Sequence, residues 1–241
     1  QFDHPLFSGQ KVEVSSNRIA PEQKFREYTI VYEDQHIIVI DKMAGLLSMA
    51  TENEKRATAF SLLSRHVKKQ DRDNKIFIVH RLDRETSGLM LFAKSEEVKN
   101  KLQEKWNETI VERTYLAVVE GKVEKKEGTV NSYLSEDKVF KMHSSQNPAS
   151  GKKAVTRFSV LKKSNAYSLL KVNLETGRKN QIRIHMQEMG HCVAGDKKYG
   201  AATNPMKRLG LHAQQLSFIH PATGEKMNFE TNVPRVFMRL F

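Results

Sequence analysis

The amino-acid sequence predicts an α+β fold, a mostly antiparallel mixed sheet with flanking helices. Three observations lead there. Short β-rich runs recur along most of the chain, separated by turn-forming residues. Stretches with helical spacing interrupt them too irregularly for the strand–helix alternation of a doubly wound parallel sheet. Finally, 241 residues with 39% hydrophobic content can bury a sizeable core. No repeat or low-complexity tract is evident.

Residues 15–27 are polar, with Ser15, Ser16, Asn17 and Pro21 and little periodicity, and read as a linker; the main domain is expected from Tyr28. Ile37 to Ile40 form an apolar run of strand length, closed by the turn-prone Lys42-Met43-Ala44-Gly45. Phe60, Leu63 and Val67 are spaced for one packing face of a helix. Ile76–Val79 and Leu89–Ala93 read as strands on either side of a polar loop, which is thereby held at both ends. Ser95 is placed to cap a helix with Glu96 and Glu97 beside the positive end of its dipole; Val98, Leu102 and Trp106 share a face, making Trp106 a core residue. Tyr115–Val119, Ala154–Val160 and Tyr167–Leu174 are expected strands. Arg178–Met189 is an expected helix, with Ile182, Met186 and Met189 on one face and Gly190 placed to end it. The last strands are expected at Gln214–Ile219 and Lys226–Glu230.

Forty Lys and Arg against 28 Asp and Glu leave a net charge of +12, enough to attract a polyanion at long range, although charge alone is equally compatible with a merely soluble basic protein. No apolar run approaches the ~20 residues needed to cross a bilayer, and a cytoplasmic location is expected. Cys192 is the single cysteine; with no zinc-like cluster around it, it reads as a buried structural thiol. No metal and no cofactor are expected, and a monomer is the default.

The densest chemistry lies in His80-Arg81-Leu82-Asp83-Arg84-Glu85-Thr86-Ser87-Gly88, a short loop crowded with ionisable and hydroxyl groups between apolar strands. Rigid flanking strands suit a catalytic loop, while ordinary solvated charges are the plainer reading. Arg81 and Arg84 favour the ionised form of Asp83, as a nucleophile or base requires, but a surface salt bridge would look the same in sequence.

The run HRLDRETSGL resembles the signature of the RluA-like family of RNA pseudouridine synthases, whose Asp in the RLD segment is essential. Three further stretches resemble that family's motifs in the same order. They are Arg113-Thr114-Tyr115-Leu116-Ala117 with Gly121, the run Leu174 to His185, and Gly195-Asp196-Lys197-Lys198-Tyr199-Gly200 with Leu211-His212-Ala213. The resemblance runs from about Tyr28 to the end and departs at Asn180, where His is usual, and at Met43, where Pro is common. Asn180 puts in doubt a local hydrogen bond, and Met43 loosens a turn.

The resemblance implies a pseudouridine-synthase-like catalytic domain over 28–241, with residues 1–14 the possible end of an upstream RNA-binding module. It implies Asp83 as the catalytic carboxylate, Arg183 as its partner, and Tyr115 against the target base. Substrate contacts are expected from Arg81, Leu82, Arg84 and Thr86 in the first motif and from Arg178, Gln181 and His185 in the third. The partner implied is RNA, with large-subunit ribosomal RNA ahead of transfer RNA. A non-catalytic RNA-binding or ribosome-assembly protein would explain the charge but not the motifs. A metal-dependent nuclease would need ligands that the cationic neighbours of Asp83 do not supply.

Overall fold

The computed structural model describes residues 23–24, 27–51, 54, 57–104 and 106–241. The possible module remnant at 1–14 lies outside the described residues, as does the expected linker apart from Gln23, Lys24 and Glu27. The first half holds β1 (Gln23–Lys24), β2 (Tyr28–Glu33), β3 (Ile37–Lys42), α1 (Ala59–Gln70), β4 (Phe77–Ile78), β5 (Ser87–Ala93), α2 (Glu96–Glu104) and α3 (Trp106–Thr109). The second holds β6 (Ile110–Glu120), β7 (Glu127–Glu136), β8 (Met142–Ser145), β9 (Lys152–Lys163), β10 (Tyr167–Leu174), α4 (Gln181–Glu188), β11 (Leu211–Ile219), β12 (Lys226–Glu230) and α5 (Arg235–Met238). Among the described residues, no helix is long and apolar enough to cross a membrane.

These strands form one sheet in the order β1-β2-β3-β5-β11-β6-β10-β9-β7-β8, with β4 also on β5 and β12 also on β11. The expected α+β sheet is therefore what forms. Among the described strands, every pairing is antiparallel except that of β5 with β11. β5 is buried at every residue, which is why its sequence is a continuous apolar run rather than an alternating one. α1 begins at a capping box between Thr58 and Ser61 and lays Leu63 and Val67 against Ile38, Ile40, Met90 and Phe92. α2 covers the other face of that half with Val98 and Leu102, and α4 covers the second half with Ile182 and Met186.

Boundaries differ from the expected ones where local rules compete. α4 starts at Gln181 rather than Arg178 because Asn180 adopts φ 54, a left-handed conformation outside the helix. Only Phe77 and Ile78 of the expected 76–79 strand are paired as a strand, whereas Ala154–Val160 extends to Lys152–Lys163. β7 is exposed or half-buried over most of its length and carries little apolar signal, so its pairing with β9 and β8 is what marks it as a strand.

The two halves meet where β5 and β11 run in parallel, through the pairs Ser87 with His212 and Gly88 with Ala213. Gly88 has φ 113, and a Cβ there would lie 2.1 Å from the Ala213 carbonyl oxygen, so only glycine fits. Beside it, Arg208 Nη2 donates to Ser87 Oγ at 2.6 Å. Ser87 Oγ in turn lies 2.7 Å from His212 Nδ1, and His212 Nε2 lies 2.7 Å from Thr231 Oγ1. This chain suits a neutral imidazole that accepts at Nδ1 and donates from Nε2. Burial, with the nearby Arg208 charge, lowers the His212 pKa from 6.5 to about 4.

Gly88→Ala is expected to cost at least about 2 kcal/mol in urea unfolding, because backbone must move at the joint between the halves. His212 adds a pH dependence: the unfolded chain takes up its proton below about 6.5 while the folded one resists it until about 4. Stability should therefore fall as pH drops through that window, and His212→Gln should reduce the slope.

Candidate active site

The loop from His80 to Thr86 is fixed almost atom by atom before any catalytic group is considered. At its start, His80 Nε2 accepts from the Leu91 backbone N–H at 3.0 Å, and burial lowers the His80 pKa to about 3, so the ring stays neutral. Ser48 Oγ donates to the Leu82 carbonyl at 2.6 Å and accepts from the Leu82 N–H at 3.2 Å. The Arg84 carbonyl accepts from the Gly45 N–H at 2.9 Å and from Lys42 Nζ at 3.1 Å, and Arg84 Nε donates back to the Gly45 carbonyl at 3.0 Å. Lys42 is wholly buried and also donates to the carbonyls of Met43 and Leu46, so its head group staples the 43–46 turn to the loop. Burial lowers its pKa to about 8. The Thr86 N–H closes the loop on the Asp83 carbonyl at 3.1 Å.

That frame presents the Asp83 side chain to solvent at 28% exposure, facing α4. Arg183 Nη1 donates to Asp83 Oδ2 at 3.1 Å, and this is not the only carboxylate it holds. Its Nε and Nη2 form a two-bond fork with Asp196 Oδ2 and Oδ1, both at 2.7 Å, and the Asp196 side chain is 0% exposed. Burial works against the Arg183 charge, but Asp196 and then Asp83 more than reverse it and raise its pKa above the ordinary value. The arginine plane is also stacked on Tyr199, its guanidinium carbon 5.0 Å from the ring centroid. One guanidinium thus sits between two carboxyl groups, one buried and one exposed.

Asp83, Arg183 and Tyr115 line one cavity of about 760 Å³ at the middle of the sheet. Tyr115 rises from β6, paired to Val172 of β10 and Ala213 of β11. Burial raises its pKa; the Arg113 charge opposes this and the Asp83 charge adds to it, so the phenol stays protonated near neutral pH. The far wall carries Trp106 and Arg113, with the guanidinium 5.4 Å from the Trp106 ring centroid. Trp106 is only partly buried against the core it was expected to join, and one side of it faces the cavity.

The other expected site residues divide. Arg81, Leu82, Thr86, Arg178 and Gln181 line the cavity. Arg84 and His185 are not among its lining residues. Arg84 is half exposed and turned to Glu54 and Glu85. His185 is fully buried, with Nδ1 2.7 Å from Thr156 Oγ1 and Nε2 3.0 Å from Ser132 Oγ, because the helix phase at that position points at β7 and β9. Gln181 is also fully occupied within the fold: its oxygen accepts from the Arg178 N–H and Thr176 Oγ1, and its nitrogen donates to the Val155 carbonyl and Thr156 Oγ1. It braces the turn into α4 and has no free polar atom for a substrate. Asp196 and Tyr199 were visible in sequence as parts of a motif, but nothing local told that they grip Arg183.

Asp196→Asn should leave Arg183 short of one buried anion and cost on the order of 3 kcal/mol in urea unfolding. The same variant should lower turnover, because the released guanidinium can swing wholly onto Asp83.

Comparison with known proteins gives the family and the fold. Residues 36–188 match the family model described as RNA pseudouridylate synthase. A Bacillus subtilis protein described as an uncharacterized RNA pseudouridine synthase is 36% identical over 235 residues, covering 96% of this chain and 76% of that protein. The ribosomal large subunit pseudouridine synthase D of Neisseria meningitidis serogroup A is 38% identical over 217 residues, covering 85% of this chain; the chain spans 58% of that relative's length. Among solved structures, human RNA pseudouridylate synthase domain containing 4 shares the fold with a TM-score of 0.70 at 24% identity, over 87% of this chain and 90% of that one. From its fold, its four motifs and these relatives, the chain belongs to the RluA-like family of RNA pseudouridine synthases.

Proposed function

We propose that this chain converts specific uridines of large-subunit ribosomal RNA to pseudouridine in the cytoplasm, flipping each target base into the cavity and using Asp83 as the essential carboxylate. The observation that carries this reading is the position of Asp83, bonded to Arg183 at the rim of a cavity that Tyr115 also lines. The net charge of +12 supplies the long-range attraction to RNA. The ribosomal target rests on the name of the Neisseria relative.

The reaction breaks the bond between ribose C1′ and uracil N1, turns the base and rejoins it through C5; the C5 proton leaves, N1 takes one up, and there is no redox change. Neither a cofactor nor a metal is needed for that balance. Asp83 acts at the sugar, by attack on C1′ or by removing a ribose proton; both routes need an ionised, aimed carboxylate. Tyr115 offers a ring face to the uracil and a neutral phenol at its edge. Arg81 and Arg178, on the rim, are placed for phosphates of the opened strand or for the gap left by the flipped base. Extrusion costs roughly a few kcal/mol, which those contacts must offset.

Asp83→Asn should fold, bind large-subunit ribosomal RNA as the wild type does, and form no pseudouridine by carbodiimide labelling and primer extension. Turnover near the wild-type rate would remove Asp83 from its role. Arg183→Lys keeps the charge but cannot bridge two carboxylates with a planar fork, so a large fall in turnover is expected. Mapping pseudouridine in cells lacking the protein tests the target: sites lost from transfer RNA rather than ribosomal RNA would replace the substrate while keeping the chemistry.

A further inference from the structure

Arg183 gives Asp83 only one hydrogen bond at 3.1 Å, because its Nε and Nη2 are taken up by Asp196. A carboxylate held by one bond to one oxygen can still turn about that bond. Something else must set its plane, and the residue in place is Asn180. An ionised carboxylate offers only acceptors, so the amide nitrogen is the atom that faces it. In that orientation it lies 2.8 Å from Asp83 Oδ2 and 3.2 Å from Oδ1, while the amide oxygen accepts from the Tyr199 hydroxyl at 2.9 Å. Asn180 is 8% exposed and Tyr199 2%, and Tyr199 is wedged under the Arg183 plane, so the relay from phenol to amide to carboxylate has little room to move.

We propose that Asn180 is a positioning residue: its amide, aimed by Tyr199, bridges both oxygens of Asp83 and fixes the rotation of the carboxylate in the cavity. The inference deepens the function proposed above and rests on it. The backbone supports it independently, since φ 54 at Asn180 is a conformation that Asn tolerates better than most residues, and it begins α4 just beside Asp83. The donor is neutral, which suits the task. It orders the carboxylate without adding a second cation that would quench the charge the reaction uses.

Asn180→Gly removes the amide and keeps the positive φ free of strain. Asn180→Asp keeps the shape and the backbone preference but replaces the donor with a carboxyl. With transcribed large-subunit ribosomal RNA, or bulk transfer RNA if that is the RNA the wild type modifies, Asn180→Gly should lose roughly ten- to a hundred-fold in kcat. KM and RNA affinity should stay near wild type, while the thermal midpoint falls only by the modest amount that the lost Tyr199 hydrogen bond implies. Tyr199→Phe should lose less, and should add nothing to Asn180→Gly, because both act through one relay. For Asn180→Asp, only the protonated new carboxyl can donate to Asp83, so kcat should fall as pH rises through a titration that the wild type lacks.

Wild-type-like kcat in Asn180→Gly, or a loss confined to KM, overturns the proposal. Should that variant fail to fold, the pH profile of Asn180→Asp decides, and a profile parallel to the wild type overturns it. A wild type that forms no pseudouridine in either RNA overturns the underlying function instead, which keeps the two failures apart.

Discussion

The fork of Arg183 on Asp196 is the constraint around which the rest of the site is arranged. A lone guanidinium beside Asp83 would hold the carboxylate strongly and make it a poor nucleophile. A lone carboxylate in a partly enclosed cavity would tend to take up a proton. With Asp196 buried behind it, the arginine is already paired, and what it extends to Asp83 is one charge-assisted bond at 3.1 Å. The exposed carboxylate is therefore held in a defined place without a second full ion pair. Tyr199 stacks on the same guanidinium and holds the plane of the fork.

A charge held this loosely works only on a rigid support, and the two sides of the site are stiffened in different ways. The Asp83 side is a loop with no regular structure, stapled by Ser48, by the Gly45 and Arg84 exchange and by the buried Lys42 ammonium. Each of these satisfies a backbone group that a buried loop would otherwise leave bare. The Arg183 side is a short helix whose entry is locked by Gln181, with all of its side-chain hydrogen-bonding capacity used on neighbouring strands and the turn before it. The two sides belong to different halves of the sheet, and among the described strands the short parallel pairing at Ser87 and Gly88 joins them. Packing at Gly88 is thus part of the geometry of catalysis although it touches no substrate.

Several features of this arrangement are legible along the chain. The apolar runs of β3 and β5, the α1 face at Leu63 and Val67, and the crowding of polar groups before β5 are local patterns, written in consecutive residues. His185 and Gln181 are different. Their motif marks them as important, yet whether a polar side chain on α4 faces the cavity or the sheet depends on where β7 and β9 lie, and β7 has no strong pattern of its own. Trp106 shows the converse, since helical spacing places it with Val98 and Leu102 while the cavity wall takes part of its surface.

By itself, then, the sequence determined the α+β class, the strands at the centre of the sheet, and the identity of Asp83, Tyr115 and Arg183 as the residues to watch. The class and the strands follow from periodicity, a property of neighbours in the chain; the three residues follow from the resemblance of their motifs to those of the family. Only the tertiary structure decided that Arg183 divides itself between two carboxylates, that Asn180 reaches both oxygens of Asp83, and that His185 faces inward. Asp83 and Arg183 lie 100 residues apart, so their bond exists because the two sheet halves meet, at Gly88 among other contacts. Long-range pairing of that kind leaves no local trace for a periodicity to reveal.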